Sequence, residues 1–235
     1  MKHVLIALLR WIVVLLMPVV IGLLVARVMI NAWYPRFEYA RPDFPPDRYG
    51  FTAEERLELA LVNIDYLNRP DPPDVAIAML QELRIPGTNR LLFTTDEIRH
   101  MIDVKQLTDA LWRVLAAAAA LLALSLLALL ARRETRAEGY AALFGGGLLT
   151  TGLLTLLIIF VFLSWNTLFV MFHNAFFQPG TWTFDWSDSL IRLFPERFWS
   201  DAGVLLVGGA LAVGVIVMLV GFGLGRRARA ARRAG

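Results

Sequence analysis

The chain has 235 residues, of which 57% are hydrophobic and 18% are charged, and it contains no cysteine. Soluble domains are usually about 45–50% apolar and about 25% charged, so this composition, with a mean hydropathy of +0.58, predicts an integral membrane protein. The lack of cysteine excludes a disulfide framework, a thiolate nucleophile and a cysteine–zinc site. The formal net charge of +3 is small, so the positions of the charges are more informative than their sum.

The first predicted element is a transmembrane helix over residues 1–30. Its apolar run is bounded by Arg10 and Arg27, whose long side chains can reach the membrane interfaces. A span of about 20 residues is therefore available, which is the length that a bilayer requires. A cleaved signal peptide is the alternative, but the apolar run is long and the later spans need an orientation.

Residues 31–110 are polar and rich in proline, and they predict a small, mostly helical cap. Two capping boxes, Thr52-Ala-Glu-Glu55 and Thr94-Thr-Asp-Glu97, indicate helix starts. The first begins a helix predicted over 53–67, and a second helix is predicted over 75–83. The segment is too long for a structureless loop, so we expect it to fold as a unit.

The remaining elements alternate between apolar and charged stretches. The predicted transmembrane helices are 111–131, 140–172 and 202–224. A run of three glycines, Gly145 to Gly147, is expected to permit close helix contact in the third span. The connecting segments are a loop at 132–139, an aromatic loop at 173–201 and a basic tail at 225–235.

The arginine distribution predicts the orientation of the four spans. The start of the chain, the loop at 132–139 and the tail at 225–235 are all basic, and with four spans they lie on one side. Because basic loops stay in the cytoplasm, both termini are expected there and the cap is expected outside. The chain is therefore expected to be a multi-pass protein of the cytoplasmic membrane.

His173 lies in an aromatic stretch, 163–199, that joins the third and fourth spans. Gln178-Pro179-Gly180 is expected to end the helix that carries this histidine. Trp and Tyr collect where a membrane meets water, and histidine is the side chain most easily poised to move a proton near neutral pH. The stretch is therefore either an aromatic belt that anchors a helix end or a polar site for a lipid-like ligand.

His100 and His173 are both predicted at the outer membrane surface, whereas His3 stands at the cytoplasmic start. If the second and third spans form an antiparallel hairpin, the two histidines approach the same boundary. Asp96, His100 and Asp103 share one helix face, where a carboxylate can fix the imidazole tautomer and raise its basicity. The alternative is a solvated pair of charges on a polar helix.

Two segments resemble signatures of the bacterial lipoprotein intramolecular transacylase (Lit) family. The first is Glu97-Ile-Arg-His100-Met-Ile-Asp103-Val-Lys105, which is similar to the family's HMxDVK motif. The second comprises Phe172-His173-Asn-Ala-Phe176-Phe177, Trp182-Thr-Phe184 and Leu190-Ile-Arg-Leu-Phe194-Pro195. Tyr66 in Asn63-Ile-Asp-Tyr66-Leu also resembles a family position. The resemblance covers most of the chain, including the four-span layout and the order of the motifs.

The resemblance implies an all-α membrane enzyme with four transmembrane helices and an extracellular cap. Its reaction moves the sn-2 acyl chain of a diacylglyceryl-modified N-terminal cysteine to the α-amino group of that cysteine, which yields an N-acyl, S-monoacylglyceryl lipoprotein. The family's two histidines correspond to His100 and His173. The implied partners are the diacylglyceryl lipoprotein and membrane lipid. We expect no cofactor, no metal, no nucleic acid and no obligate protein partner.

The residues themselves suit this chemistry. An α-amino group, with a pKa of about 7.7–8.0, must lose its proton before it attacks an ester, and a histidine can take that proton. Asp103 favours His100 as the oriented base, but the sequence leaves the choice between the two histidines open. The candidate residues for holding the substrate or donating to it are Tyr66, Asp103, Lys105, Trp165, Phe169, Phe172, Asn174, Phe176 and Trp182.

Two other classes of function are alternatives. The first is a serine-dependent lipid acyl hydrolase with Ser164 as nucleophile, but Ser164 lies more than two helical turns before His173. The second is a membrane binding or assembly protein, for example one with a two-histidine haem site. Haem ligands usually face each other within a helix bundle, whereas these histidines are predicted at its boundary.

Overall fold

The computed structural model describes residues 2–234 of the chain. Within that part the secondary structure is helical, apart from an isolated antiparallel bridge between Arg84 and Leu91. The helices are α1 (Lys2–Met29), α2 (Trp33–Tyr39), α3 (Ala53–Asn68), α4 (Pro73–Ala76), α5 (Ala78–Gln81), α6 (Thr95–Ala131), α7 (Arg136–Leu163), α8 (Trp165–Phe176), α9 (Ser189–Leu193) and α10 (Glu196–Ala234). Four of these, α1, α6, α7 and α10, are long and apolar enough to cross a membrane. The predicted all-α membrane fold with four spans is confirmed.

The chain forms two compact units, each assembled from separate segments. The span unit consists of the described residues of Met1–Ala26, Leu111–Leu163 and Val204–Gly235. The site unit consists of Arg27–Ala110 and Ser164–Gly203. Residues 1 and 235, the outermost residues of the predicted first span and basic tail, lie outside the described part of the chain.

The core of the span unit contains side chains from all four long helices. Its buried members are Val13, Met17, Ile21, Leu129, Ala142 and Ala210. Two glycines bring helix backbones into contact there: Gly147 of α7 lies against Met218 of α10, and Gly221 of α10 lies against Phe144 of α7. The predicted role of the glycine run in close helix packing is therefore confirmed at Gly147.

Both predicted capping boxes start helices in the site unit. The Thr52 backbone N–H donates to Glu55 Oε2 at 2.8 Å, and the Glu55 N–H donates to Thr52 Oγ1 at 3.1 Å. The Thr94 N–H donates to Glu97 Oε2 at 2.7 Å, and the Glu97 N–H donates to Thr94 Oγ1 at 3.3 Å. Because these bonds satisfy N–H groups that the first turn leaves free, they define the starts of α3 and α6.

The third apolar helix is shorter than the sequence predicts, because the chain leaves helical geometry at Ser164. The backbone of Ser164 has φ −157° and ψ 62°, and its hydroxyl donates to Thr167 Oγ1 at 2.6 Å. Serine offers such local hydrogen bonds in competition with the helix, which lowers its preference for helix interiors. The predicted span of 140–172 is therefore divided into α7 and α8, and His173 belongs to the short helix α8.

Other short elements also differ from the predictions. The helix predicted at 75–83 is divided into α4 and α5, and the fourth long helix begins at Glu196 instead of 202. Pro195 is compatible with this helix start, because backbone N–H groups at the start of a helix have no carbonyl partner within the helix, so the lack of an N–H in proline costs no hydrogen bond. The helices α2 and α9 were not predicted from the sequence, and both pack against α3.

Two arginines fasten the segments of the site unit to each other. The Arg56 guanidinium donates to the carbonyl oxygens of Arg192, at 2.7 and 2.9 Å, and of Pro45, at 2.7 Å. Arg192 in turn pairs with Asp47 at 3.0 Å and stacks on the ring of Phe51. Burial works to raise the pKa of Asp47, but the hydrogen bonds from Arg192 and from the Phe51 N–H hold it below its usual value. The aromatic loop is thereby held to the segment before α3.

Candidate active site

His100 on α6 and His173 on α8 lie next to each other in the site unit. Their ring centroids are 6.4 Å apart, and the ring planes differ by 23°. At this distance the rings are neighbours but are not in direct stacking contact. The predicted proximity of the two histidines is confirmed.

His173 is held in one orientation by its own helix. Its Nδ1 lies 2.8 Å from the carbonyl oxygen of Phe169, one turn earlier. A carbonyl oxygen only accepts, so Nδ1 carries the proton that is donated. In the neutral imidazole the lone pair is then on Nε2, which is the state that a general base requires.

Aromatic rings surround His173 on several sides. Its centroid lies 4.0 Å from that of Phe169, 4.8 Å from Trp182, 5.5 Å from Phe172 and 5.6 Å from Phe177. This burial lowers the pKa of His173 below its usual value, although the bond to the Phe169 carbonyl works in the opposite direction. The neutral form, which can accept a proton, is therefore favoured near neutral pH.

His100 is more deeply enclosed and lacks the predicted carboxylate partner. Its side chain lies against Phe177, at 5.0 Å between centroids, and Phe184, at 5.4 Å. Its Nδ1 is buried without a hydrogen-bond partner. The prediction that Asp103 orients His100 is therefore not supported, because this ring nitrogen is surrounded by rings instead of a carboxylate. His173, and not His100, is the histidine held by a hydrogen bond.

Glu97 joins the helix that carries His100 to the aromatic loop. Its Oε1 accepts the backbone N–H of Leu190 at 2.7 Å, while Oε2 completes the capping box with Thr94. Glu97 is fully buried, and the Ser189 hydroxyl adds a second bond nearby by donating to the Leu92 carbonyl. These bonds determine where the aromatic loop lies relative to His100. The sequence showed Glu97 only as a capping residue.

A tight turn aims the aromatic residues of the loop at the two histidines. Gly180 has φ +86°, a left-handed conformation that glycine adopts without steric cost. The turn allows Phe177 before it and Trp182 after it to contact His173. Phe177 and Phe184 were not among the predicted site residues, although both belong to the motifs quoted above. Their place in those motifs was the sequence signal that could have identified them as site residues.

Other predicted site residues are used differently. Tyr66 and Lys105 are fully buried, and their polar groups bond within the site unit. The Tyr66 hydroxyl donates to the Met101 carbonyl at 3.0 Å, while Lys105 Nζ donates to the Arg69 carbonyl at 2.9 Å and to Asp109 at 3.3 Å. These contacts indicate that both residues support the packing around α6, and neither is placed beside His173.

The remaining predicted residues lie on α8, except Trp182, which lies in the loop after α8. Trp165 contacts Phe169 at 6.0 Å between ring centroids, and Phe172 contacts Phe176 at 5.0 Å. Phe172 and Phe176 are about half exposed, at 47% and 51%. Asn174 is exposed. The structure thus brings Phe169, Phe172 and Trp182 to His173 and leaves Asn174 at the surface.

The sequence model of a family described as lipoprotein intramolecular transacylase (Lit) matches residues 10–199. The chain belongs to the lipoprotein intramolecular transacylase family. It is therefore an enzyme, a transacylase, and this finding decides against the alternative of a binding or assembly protein. Both histidines and the whole site unit before Ser200 lie within the matched residues.

One relative and two solved structures are similar to this chain over nearly its whole length. A protein of Aquifex aeolicus, described as uncharacterized, is 29% identical over 216 residues, which cover 92% of this chain and 94% of that protein. The in meso structure of the membrane-integral transacylase Lit from Bacillus cereus has a TM-score of 0.68 at 21% identity, with full coverage of both chains. A structure of that protein with a histidine-to-arginine mutation has a TM-score of 0.66 at 19% identity, with coverage of 99% and 96%. This transacylase therefore shares the fold of the Bacillus cereus protein.

Proposed function

We propose that this transacylase moves the sn-2 acyl chain of a diacylglyceryl-modified N-terminal cysteine to the α-amino group of the same molecule, with His100 and His173 as the acid/base pair. The pairing of the two imidazoles inside an aromatic enclosure is the observation that carries the assignment. The lipoprotein substrate follows from the family, and the substrate's own ester and amine make a cofactor unnecessary.

The hydrogen bond of His173 supports one direction of proton movement. With Nδ1–H donated to the Phe169 carbonyl, Nε2 accepts a proton from the attacking amine. The departing sn-2 oxygen then needs a proton, and His100 is the second titratable ring within reach of a group held between the two. We therefore propose His173 as the base and His100 as the partner that completes the transfer to the leaving oxygen.

The aromatic residues are proposed to hold the substrate in a folded shape. Phe169, Phe172, Phe176, Trp165 and Trp182 provide apolar surface along α8 and the loop, suited to a glyceryl group and its acyl chains. Because ester and amine belong to one molecule, correct placement of the two supplies much of the catalysis. Effects of this kind can lower a barrier by about 7–11 kcal/mol.

The arginine distribution supports an orientation with both termini in the cytoplasm and the site unit outside. The chain has no native cysteine, so a single introduced thiol reports one position. Asn89→Cys, in an exposed turn of the site unit, is expected to react with an impermeant maleimide in intact cells. Glu134→Cys, in the exposed loop between α6 and α7, is expected to react only after permeabilisation. The reverse labelling pattern would invert the proposed topology.

The reaction itself is testable with two isotope-labelled lipopeptides. Substrate and product are isomers, so the intact mass stays constant and tandem mass spectrometry must locate the acyl chain on the amine. We mix one lipopeptide deuterated in its sn-2 acyl chain with another that is ¹³C-labelled in its peptide. If transfer occurs within one molecule, no product is expected to carry both the deuterated acyl chain and the ¹³C-labelled peptide after incubation with the purified chain.

Two results of this experiment would contradict the proposal. If the acyl chain remains on the glyceryl group, the protein chain does not catalyse the proposed reaction. Crossed products, or acylated protein, would replace the direct transfer with a route through an enzyme nucleophile such as Ser164. The Ser164 hydroxyl donates its hydrogen bond to Thr167 and not to a histidine, which is evidence against that route.

A further inference from the structure

The indole N–H of Trp182 is a buried donor that has no acceptor in the part of the chain that the structure describes. Its Nε1 is buried and unpartnered, while its ring lies 4.8 Å from His173 and 6.3 Å from Phe169 between centroids. A buried donor without an acceptor is destabilising, so such a group in a native fold calls for an explanation. The explanation that fits this location is an acceptor that arrives with the substrate.

Three other candidate donors are already engaged in hydrogen bonds within the site unit. Tyr66 donates to the Met101 carbonyl, and Lys105 donates to the Arg69 carbonyl and Asp109. His173 donates its Nδ1–H to Phe169. His100 Nδ1 is also buried without a partner, but the proposed proton transfer to the leaving oxygen already uses that ring, and Asn174 is exposed. Trp182 is thus the buried donor beside the proposed base that has neither a bond nor another proposed role. An indole N–H donates and never accepts, so it suits a site where negative charge develops.

We propose that Trp182 Nε1–H donates a hydrogen bond to the carbonyl oxygen of the sn-2 ester and to the oxyanion that forms from it. This assignment rests on the proposed function. The α-amine nitrogen forms a bond to the ester carbon, and the carbonyl π electrons move to the oxygen held by Trp182. The oxyanion then collapses, the bond from carbon to the sn-2 oxygen breaks, and the amine proton reaches that oxygen through the histidines.

The geometry explains why Trp182 is available for this contact. It follows the Gly180 turn, and the loop that carries it is tied to α6 by Glu97 and to Leu92, before α6, by Ser189. A donor that is already in place when charge develops needs no rearrangement during the reaction. Trp182 is therefore a catalytic residue that contacts the reacting carbonyl, in addition to lining the aromatic enclosure.

The kinetic test uses Trp182→Phe, which keeps an aromatic ring and removes the N–H. Loss of one such donor is expected to lower kcat by about 10²–10³-fold while KM stays near the wild-type value. Trp199→Phe is the matched control, because Trp199 is 43% exposed and contacts Phe194 and Phe198 instead of a histidine. The control is expected to retain wild-type turnover.

A second measurement does not depend on turnover. The full chain in detergent is labelled with ¹⁵N-tryptophan, and the Trp182 signal is assigned by its absence in Trp182→Phe. The probe is a lipopeptide whose sn-2 ester is replaced by a phosphonate, whose tetrahedral phosphorus carries a negatively charged oxygen. The Trp182 N–H proton is expected to move downfield when the probe binds, and an unchanged shift overturns the proposal.

The outcomes separate this proposal from the function on which it rests. If the wild-type chain transfers no acyl group, the proposed function fails and the role of Trp182 fails with it. If the wild type is active and Trp182→Phe stays within about tenfold of it, the donor role alone is overturned. Replacement of Trp182 by β-(3-benzothienyl)alanine, which preserves the bicyclic shape without the N–H, is expected to reproduce the loss.

Discussion

Replacing His173 by asparagine is expected to abolish acyl transfer while the chain stays folded. The asparagine amide can still donate a hydrogen bond to the Phe169 carbonyl, as Nδ1 of His173 does. It supplies no basic nitrogen for the amine proton. Since a positioned acid or base contributes about 10²–10⁴-fold, turnover of the diacyl lipopeptide should fall by that range.

The matching change at the other histidine is His100→Phe. Its ring contacts with Phe177 and Phe184 suit a phenyl group, so this variant removes the unpartnered ring nitrogen without leaving a void. If the two histidines act as one proton-transfer unit, the double variant should be hardly slower than either single variant. His3→Ala changes an exposed residue of α1 and serves as the control.

The result that would contradict this assignment is simple to recognise. Turnover above about one tenth of wild type in either single variant is more than the loss of an acid or base should permit. Thermal unfolding in detergent must accompany the kinetics, because a variant that unfolds says nothing about proton transfer. Strictly multiplicative losses in the double variant would show two independent contributions instead of a pair.

The largest effect on stability is expected from Gly147→Ala. A Cβ at Gly147 would overlap the backbone nitrogen of Met218 and would lie 2.8 Å from the carbonyl oxygen of Gly214. Backbone atoms cannot rotate away as a side chain can, so α7 and α10 would have to separate. Overpacking of this kind typically costs about 1–3 kcal/mol, and contact with backbone places the expected loss at the upper end.

Gly152→Ala is the matched control on the same helix. No atom lies within 4 Å of a Cβ built there, and alanine has the higher helix propensity. The unfolding temperature of this control in detergent should equal or exceed that of the wild type. Gly221→Ala should repeat the loss, because its Cβ would meet the backbone of Phe144. Equal unfolding temperatures for Gly147→Ala and Gly152→Ala would show that the close backbone contact does not support the span unit.

Local sequence patterns were sufficient for the elements that depend on neighbours a few residues away. The apolar runs predicted the four spans, because crossing a bilayer requires a long apolar helix. The pairs Thr52 with Glu55 and Thr94 with Glu97 predicted the starts of α3 and α6, because a capping box is complete within four residues. The resemblance of the motifs around His100 and His173 also predicted the family.

Breaks in apolar helices were beyond these patterns. Ser164 begins a short polar patch, Ser164-Trp-Asn-Thr167, which was expected to lie inside the predicted span of 140–172 and not to end a helix. Its bond to Thr167 and the separate helix α8 appear only in the folded chain. Serine is tolerated in either conformation, so its neighbours in space decide between them.

The partners of the polar site residues were decided by tertiary structure alone. Asp103 stands one turn from His100 and was the expected partner, whereas the histidine that is held is His173, by the Phe169 carbonyl. Tyr66 and Lys105 were expected at the substrate, but they bond to Met101, Arg69 and Asp109 within the site unit. Sequence by itself determined that the chain has four spans, where the capped helices α3 and α6 begin, and which two histidines lie next to each other. Which donor stays free depends on competition among groups far apart in the chain, and packing settles that competition only when the loop carrying Trp182 folds against α6 and α8.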